Sequence, residues 1–251
     1  MTIATNPTAD AWLRRYHPHD DAPVRLVCFP HAGSSAPYFL PMAAGLSAAV
    51  DVLSVQYPGR QERRHEPLID NVDTLADRCT EVLRPALDRP FALFGHSLGA
   101  TVAFEVARRL EAEARGPVHL FASGRRAPSR NRDESVHRRD DDGIIAEMRS
   151  LSGTDTRVFA EEELLRMVLP ILRNDYKAAE TYEYRDGPLL RCPITVLTGH
   201  DDPKVSVEEA EAWREHTAGR SVLHVYGGGH FFLAEHISAV LALVGASLRA
   251  A

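Results

Sequence analysis

Short apolar runs recur along the chain, separated by longer stretches in which apolar positions return every three or four residues. The runs are VRLVCF (24–29), VDVLSVQY (50–57), FALFG (91–95), VHLFASG (118–124), ITVLTG (194–199) and SVLHVYG (221–227). Their near-continuous apolar character predicts strands covered on both faces, as in a parallel sheet with helices above and below it. The three-and-four spacing predicts helices at about 71–87, 98–114, 207–217 and 231–249. Strand and helix in alternation are the pattern of an α/β fold.

One connection breaks the alternation. About 60 residues separate Ser129 from Pro193, where a crossover between parallel strands needs roughly a dozen. A helical insertion at 129–190 is therefore expected, inside a single domain spanning 1–251. DDDGIIAEMRSL offers capping aspartates ahead of Ile144, Ile145, Met148 and Leu151 on one helical face, and EEELLRMVLPILRNDYKAAETY reads as a second helical stretch, bent at Pro170. Such helices could be extra packing. The preferred reading is a lid over a cleft, because the excursion leaves the C-terminal edge of the sheet, where open α/β folds bind ligands.

Composition narrows the classes of function. In the 251 residues, 29 basic and 35 acidic side chains give a net charge of −6, without the basic balance of a nucleic-acid binder. The opening MTIATNPTADAWLRRYHPHDD has no apolar core of a secretory signal, and no later run approaches the roughly 18 apolar residues of a membrane span. A cytoplasmic protein with neither nucleic acid nor membrane as partner is expected. Cys28, Cys79 and Cys192 are odd in number and lack C-x-x-C spacing, which predicts inert thiols rather than disulfides or a metal site.

FALFGHSLGATVAFEVARRL carries the chemistry, as a strand, a G-x-S-x-G turn and a helix in that order. So sharp a turn brings together the positions two before and two after the serine, where Gly95 and Gly99 avoid a clash. Ser97 is thereby exposed at the sheet edge, with the start of the next helix aimed at whatever it attacks. A serine hydroxyl needs a base, and the base needs a carboxylate to fix its tautomer. In this fold acid and histidine follow the serine in that order. Of the downstream histidines, His216 and His236 fall in predicted helices and His224 in mid-strand. His230, in VYGGGHFFLAEH, follows the end of a strand on the edge that Ser97 occupies.

The acid must also leave a strand end. After VHLFASG no carboxylate comes before Asp133, whereas Asp201 and Asp202 follow ITVLTG directly. Asp202 is favoured, being third after the glycine and held by Pro203, while Asp201 suits solvent or its own turn; a shift to Asp201 stays open at this stage. PHAG at 30–33, after the first long strand, is analogous to an HGGG-type loop, so the backbone N–H groups of Ala32 and Leu98 are the expected oxyanion donors. His31 and His96 are read as scaffolding.

With these residues in place the chain resembles the type II thioesterases, stand-alone α/β-hydrolases that accompany polyketide synthases and nonribosomal peptide synthetases. The resemblance runs through WLRRYHP, LVCFPHAG, YPGR (57–60), FGHSLGA, NDYKAAETYEY, TGHDDPKVS and GGGHFFL. Ser34 stands where the family's loop usually has a second glycine. The resemblance implies an α/β-hydrolase fold with a mostly parallel central sheet, flanking helices and a helical lid, and a triad on Ser97, Asp202 and His230. It implies hydrolysis of stalled or mis-primed acyl groups from the phosphopantetheine arm of acyl or peptidyl carrier proteins, with no metal or redox cofactor. Two other readings compete: a carboxylesterase for free small molecules shares every catalytic residue, and a non-catalytic hydrolase-fold binding module is disfavoured by the intact triad pattern. Arg125, Arg126, Arg130, Arg132, Arg138 and Arg139 form a basic cluster that is either a dock for an acidic carrier protein or a solvated loop neutralised by Asp133, Glu134 and Asp140 to Asp142.

Overall fold

The computed structural model describes residues 11–46, 49–151 and 162–249. Its seven described strands are β1 (Leu13–Arg14), β2 (Val24–Phe29), β3 (Val50–Val55), β4 (Phe91–His96), β5 (His119–Ser123), β6 (Ile194–Gly199) and β7 (Ser221–Tyr226). They form one sheet in the order β1-β3-β2-β4-β5-β6-β7, parallel except for β1, which runs antiparallel to β3. From β2 the chain steps outward to β3, then returns to the other side of β2 for β4. The order therefore reverses between β2 and β4, and the crevice beyond their C-terminal ends is where such sheets place a ligand.

The described helices are α1 (Leu40–Gly45), α2 (Val72–Leu83), α3 (Leu98–Ala112), α4 (Asp141–Ser150), α5 (Glu162–Glu180), α6 (Val207–Glu211), α7 (Phe232–Glu235) and α8 (Ile237–Arg249). Alternate residues of a strand face opposite sides of the sheet. Val27, Phe29, Leu53 and Leu93 join α2 and α3 in one core, while Leu26, Cys28, Val52 and Phe94 join α1 and α8 in the other. This is the α/β architecture that the alternating pattern predicts, in the arrangement that the resemblance to α/β-hydrolases implies. Polar side chains start α2 and α6: Asn71 accepts from the Thr74 N–H at 3.0 Å, and Ser206 with Glu209 closes a capping box on α6.

Three local expectations need revision. β1 is too short to register as an apolar run, and it is held by pairing Leu13 with Val55 and by the Gln56 N–H donating to the Trp12 carbonyl at 2.7 Å. β7 is an edge strand, partly exposed along its length with Val225 45% exposed, since a neighbour pairs with it on one side only. The helix expected over 231–249 breaks at His236, whose Nε2 meets the Gly227 carbonyl at 2.9 Å. Within 129–190, Asp140 caps α4 by accepting the Gly143 N–H at 2.9 Å. Ile144 and Met148 pack there with Leu169, Leu172 and Tyr176 of α5 in a third apolar cluster above the sheet edge. Pro170 lies inside α5, which is continuous through it.

Candidate active site

β4 ends at His96, and Ser97 follows with φ 54° and ψ −120°, a left-handed conformation costly for any residue with a Cβ. The packing around it shows why the flanking glycines are required. A Cβ on Gly95 would lie 2.2 Å from the Gly99 carbonyl oxygen, and one on Gly99 would lie 2.0 Å from that of Phe29. The strain is held by the Ser97 N–H donating to the Ser123 carbonyl at 2.8 Å and the Ala100 N–H donating to the Ser97 carbonyl at 2.9 Å. Buried α3 behind the turn fixes it against β2 and β4.

His230 follows the three glycines after β7 and is 3% exposed; its Nδ1 lies 2.8 Å from Asp202 Oδ2. The other oxygen, Oδ1, accepts the Lys204 N–H at 2.8 Å. With Nδ1 engaged, Nε2 is the nitrogen left for proton transfer. Asp201 has a different fate: it pairs with His200 at 2.9 Å, and both side chains are 72% exposed. Ser97 and His230 line one cavity of about 330 Å³, together with Ala32 and Leu98. The N–H groups of Ala32 and Leu98 have no acceptor among the described residues, and Leu98 opens α3, where the helix dipole favours negative charge. The remaining wall is chiefly apolar and comes from the insertion, through Met148, Leu151, Val168, Leu172 and Tyr176.

The loop after β2 is held from the insertion. Its left-handed residue is Gly33, φ 76°, where a Cβ would meet Leu172 Cδ2 at 2.5 Å. Ser34 has no positive φ, so a serine fits at that place. The Gly33 N–H donates to Asp175 Oδ2 at 2.8 Å, and the Ala32 carbonyl at the other end of the same peptide lies 2.9 Å from His31 Nδ1. Asp175, 1% exposed on α5, is also salt-bridged to Arg60. Arg60 in turn donates to the Pro58 carbonyl at 2.7 Å and the Ser34 carbonyl at 3.3 Å. Residue-level reading of the chain gives Arg60 and Asp175 no role. The signal for them was the presence of YPGR and NDYKAAETYEY as separate blocks, which the fold brings together.

Four of the six arginines of the basic cluster are paired: Arg126 with Glu134, Arg130 with Glu215, Arg132 with Glu209 and Arg139 with Glu147. Glu134 apart, the neutralising carboxylates come from outside the cluster's own loop, so the surface left for docking is less basic than the sequence suggests. Lys204 bridges Glu134 at 2.6 Å and Glu147 at 2.7 Å, joining the loop of Asp202 to α4. Burial raises the Glu134 carboxyl, but its bonds to Lys204 and Arg126 outweigh this and hold it at about 2.

His96 packs beside His230, their ring centres 5.2 Å apart, and His31 meets His96 edge-on; neither joins the bond to Asp202, and His96 Nδ1 meets Ser123 Oγ at 3.0 Å. Burial lowers His31, His119 and His216 to about 4 from the ordinary 6.5, and lowers His96 well below it, with the nearby His230 and His31 adding to the effect at His96. These four rings are neutral when folded and bind protons once unfolded. Stability is therefore complete above about pH 6.5 and is lost as pH falls toward 4, by about 1.4 kcal/mol per proton per pH unit. The melting temperature is expected to be level above neutrality and to drop steeply through that window; a flat profile would show that these rings titrate normally.

A thioesterase domain model matches residues 24–248. The chain is 56% identical over 233 residues to the probable cadicidin biosynthesis thioesterase of Streptomyces griseus, covering 93% of this chain and 64% of that protein. It is 51% identical over 231 residues to thioesterase PikA5 of Streptomyces venezuelae, covering 91% and 82% of the two chains. Among solved structures, the type II thioesterase BorB from the borrelidin biosynthetic cluster superposes with a TM-score of 0.90 at 51% identity, over 95% of this chain and 98% of that one.

Proposed function

Because the chain belongs to the thioesterase family, we propose that it is a type II thioesterase, a serine hydrolase that removes stalled or mis-primed acyl groups from carrier proteins in polyketide or nonribosomal peptide biosynthesis. The observation that carries this reading is the meeting of three segments: Ser97 on its strained turn shares a cavity with His230, and His230 is bonded to buried Asp202. Ser97 Oγ attacks the thioester carbonyl while His230 Nε2 takes its proton. The oxyanion that forms is met by the N–H groups of Ala32 and Leu98, and Asp202 stabilises the imidazolium. The C–S bond then breaks, and the proton passes from His230 to the departing thiolate of the phosphopantetheine arm. Water adds to the Ser97 ester by the same route, its proton going through His230 back to Ser97 as the acid leaves.

Among the described residues no helix is long and apolar enough to cross a membrane. The apolar wall supplied by α4 and α5 suits an acyl chain, and the insertion acts as a lid that encloses it while leaving room for the water that deacylates Ser97. The test is a hydrolysis panel of acylated carrier proteins, matched coenzyme A thioesters and aryl esters. The carrier-bound thioesters are expected to give the highest kcat/KM. Preference for the aryl esters would identify a small-molecule carboxylesterase instead.

A further inference from the structure

Arg125 is a cation that the chemistry above leaves unused. It stands two residues beyond Ser123, the residue whose carbonyl accepts the Ser97 N–H, and it lines the same cavity as Ser97. Its position is rigid. Trp213 Nε1 donates to its carbonyl at 2.8 Å, its Nε donates to Thr101 Oγ1 at 3.1 Å, and its Nη2 donates to the Ala179 carbonyl at 3.1 Å. Thr101 is one helical turn along α3 from Ser97, so the guanidinium sits one turn from the nucleophile, between α3 and the end of α5.

Both of these acceptors are neutral, and Nη1 has no partner among the described residues. The two nearest carboxylates are already committed. Glu134 is held by Arg126 and Lys204, and Glu180 accepts the N–H groups of Val136 and His137. Burial lowers Arg125 to about 10, which leaves it charged at neutral pH. A half-buried cation with spare donors and no carboxylate bonded to it among the described residues, Glu134 and Glu180 acting on it only through space, is placed to meet a further acceptor. The cavity wall is otherwise chiefly apolar, and Glu134 and Glu180, which also line it, are bonded to other groups.

We propose that Arg125 is a specificity-determining residue that binds an acceptor oxygen on the acyl group, a carboxylate or keto oxygen a few bonds from the thioester carbonyl. This rests on the thioesterase reading given above. The arm itself is a poorer partner, because its phosphate lies at the end remote from the thioester while Arg125 is beside Ser97. A site built to hydrogen-bond a substrate oxygen rejects the analogue that lacks it, since the donors are then left buried and unmatched.

The experiment compares butyryl, 3-oxobutyryl and malonyl thioesters of one small thiol, N-acetylcysteamine, in the wild-type protein, Arg125→Met and Arg125→Lys. The wild-type protein is expected to favour the oxygenated acyl groups over butyryl in kcat/KM. Arg125→Met is expected to reduce that ratio by roughly 10- to 100-fold, mainly through KM. Arg125→Lys, which keeps the charge but not the planar fork, is expected to retain the malonyl preference better than the 3-oxobutyryl preference. The two oxygenated substrates separate anionic from neutral recognition. A ratio unchanged in both variants would overturn the proposal, as would an equal loss on all three substrates, which would make Arg125 a tie between α3 and α5 only. Failure of the wild-type protein to hydrolyse any of the three would overturn the thioesterase reading together with this one.

Discussion

Replacing Ser97 with alanine is expected to lower turnover by roughly 10⁶-fold, the scale seen when a triad serine is removed. The loss is large because no other hydroxyl takes its place: Ser34 shares the cavity, yet it belongs to the loop after β2 and is remote in the chain from the start of α3. Both serine and alanine carry a Cβ, so the variant meets the same backbone demand at φ 54° and the comparison reads chemistry rather than folding. A fluorophosphonate probe should label the wild-type protein at Ser97 and leave the variant unlabelled. Label found on another residue would transfer the nucleophile there.

Asp202→Asn should depress turnover by roughly 10⁴-fold, while Asp201→Asn should change it by only about two-fold. The reason is in the bonding. Asp202 accepts at both oxygens, from the Lys204 N–H through Oδ1 and on the His230 Nδ1 side through Oδ2. An asparagine has one oxygen to offer, so its NH₂ must face either the Lys204 N–H or His230. The backbone N–H cannot turn away, and the amide therefore meets the ring with a donor, which favours the tautomer carrying its proton on Nε2. That form cannot accept from Ser97. The Asp201 side chain meets only His200 among the described residues, in solvent, where such a pair adds little. Steady-state kinetics of the two variants distinguish the positions, and the reverse ranking would move the acid by one residue.

How far the chain could be read in advance depended on whether a feature is local. The Ser97 turn is written within five residues, because the closeness of Gly95 to Gly99 is a property of the turn itself. Strands β2 to β7 were legible as apolar runs, although β7 lies at the partly exposed sheet edge, whereas β1 owes its place to pairing with the distant β3. The choice between Asp202 and Asp201 turned on side-chain direction, which spacing favours and the bond to His230 displays. Arg60 and Asp175 are separated by 115 positions and meet only once α5 has folded over the loop after β2. The partners of the basic cluster are equally non-local: Glu209 and Glu215 belong to the segment after β6, far from the arginines they neutralise.

Asp175 gives the insertion a second duty. The carboxylate that anchors α5 to Arg60 also fixes the peptide between Ala32 and Gly33, so α5 cannot swing away without releasing both. Were α5 to lift for a bulky acyl chain, the oxyanion donor at Ala32 would lose its brace, so catalysis would be tied to a seated insertion and the size of the acyl group would be read by whether α5 can rest on Arg60.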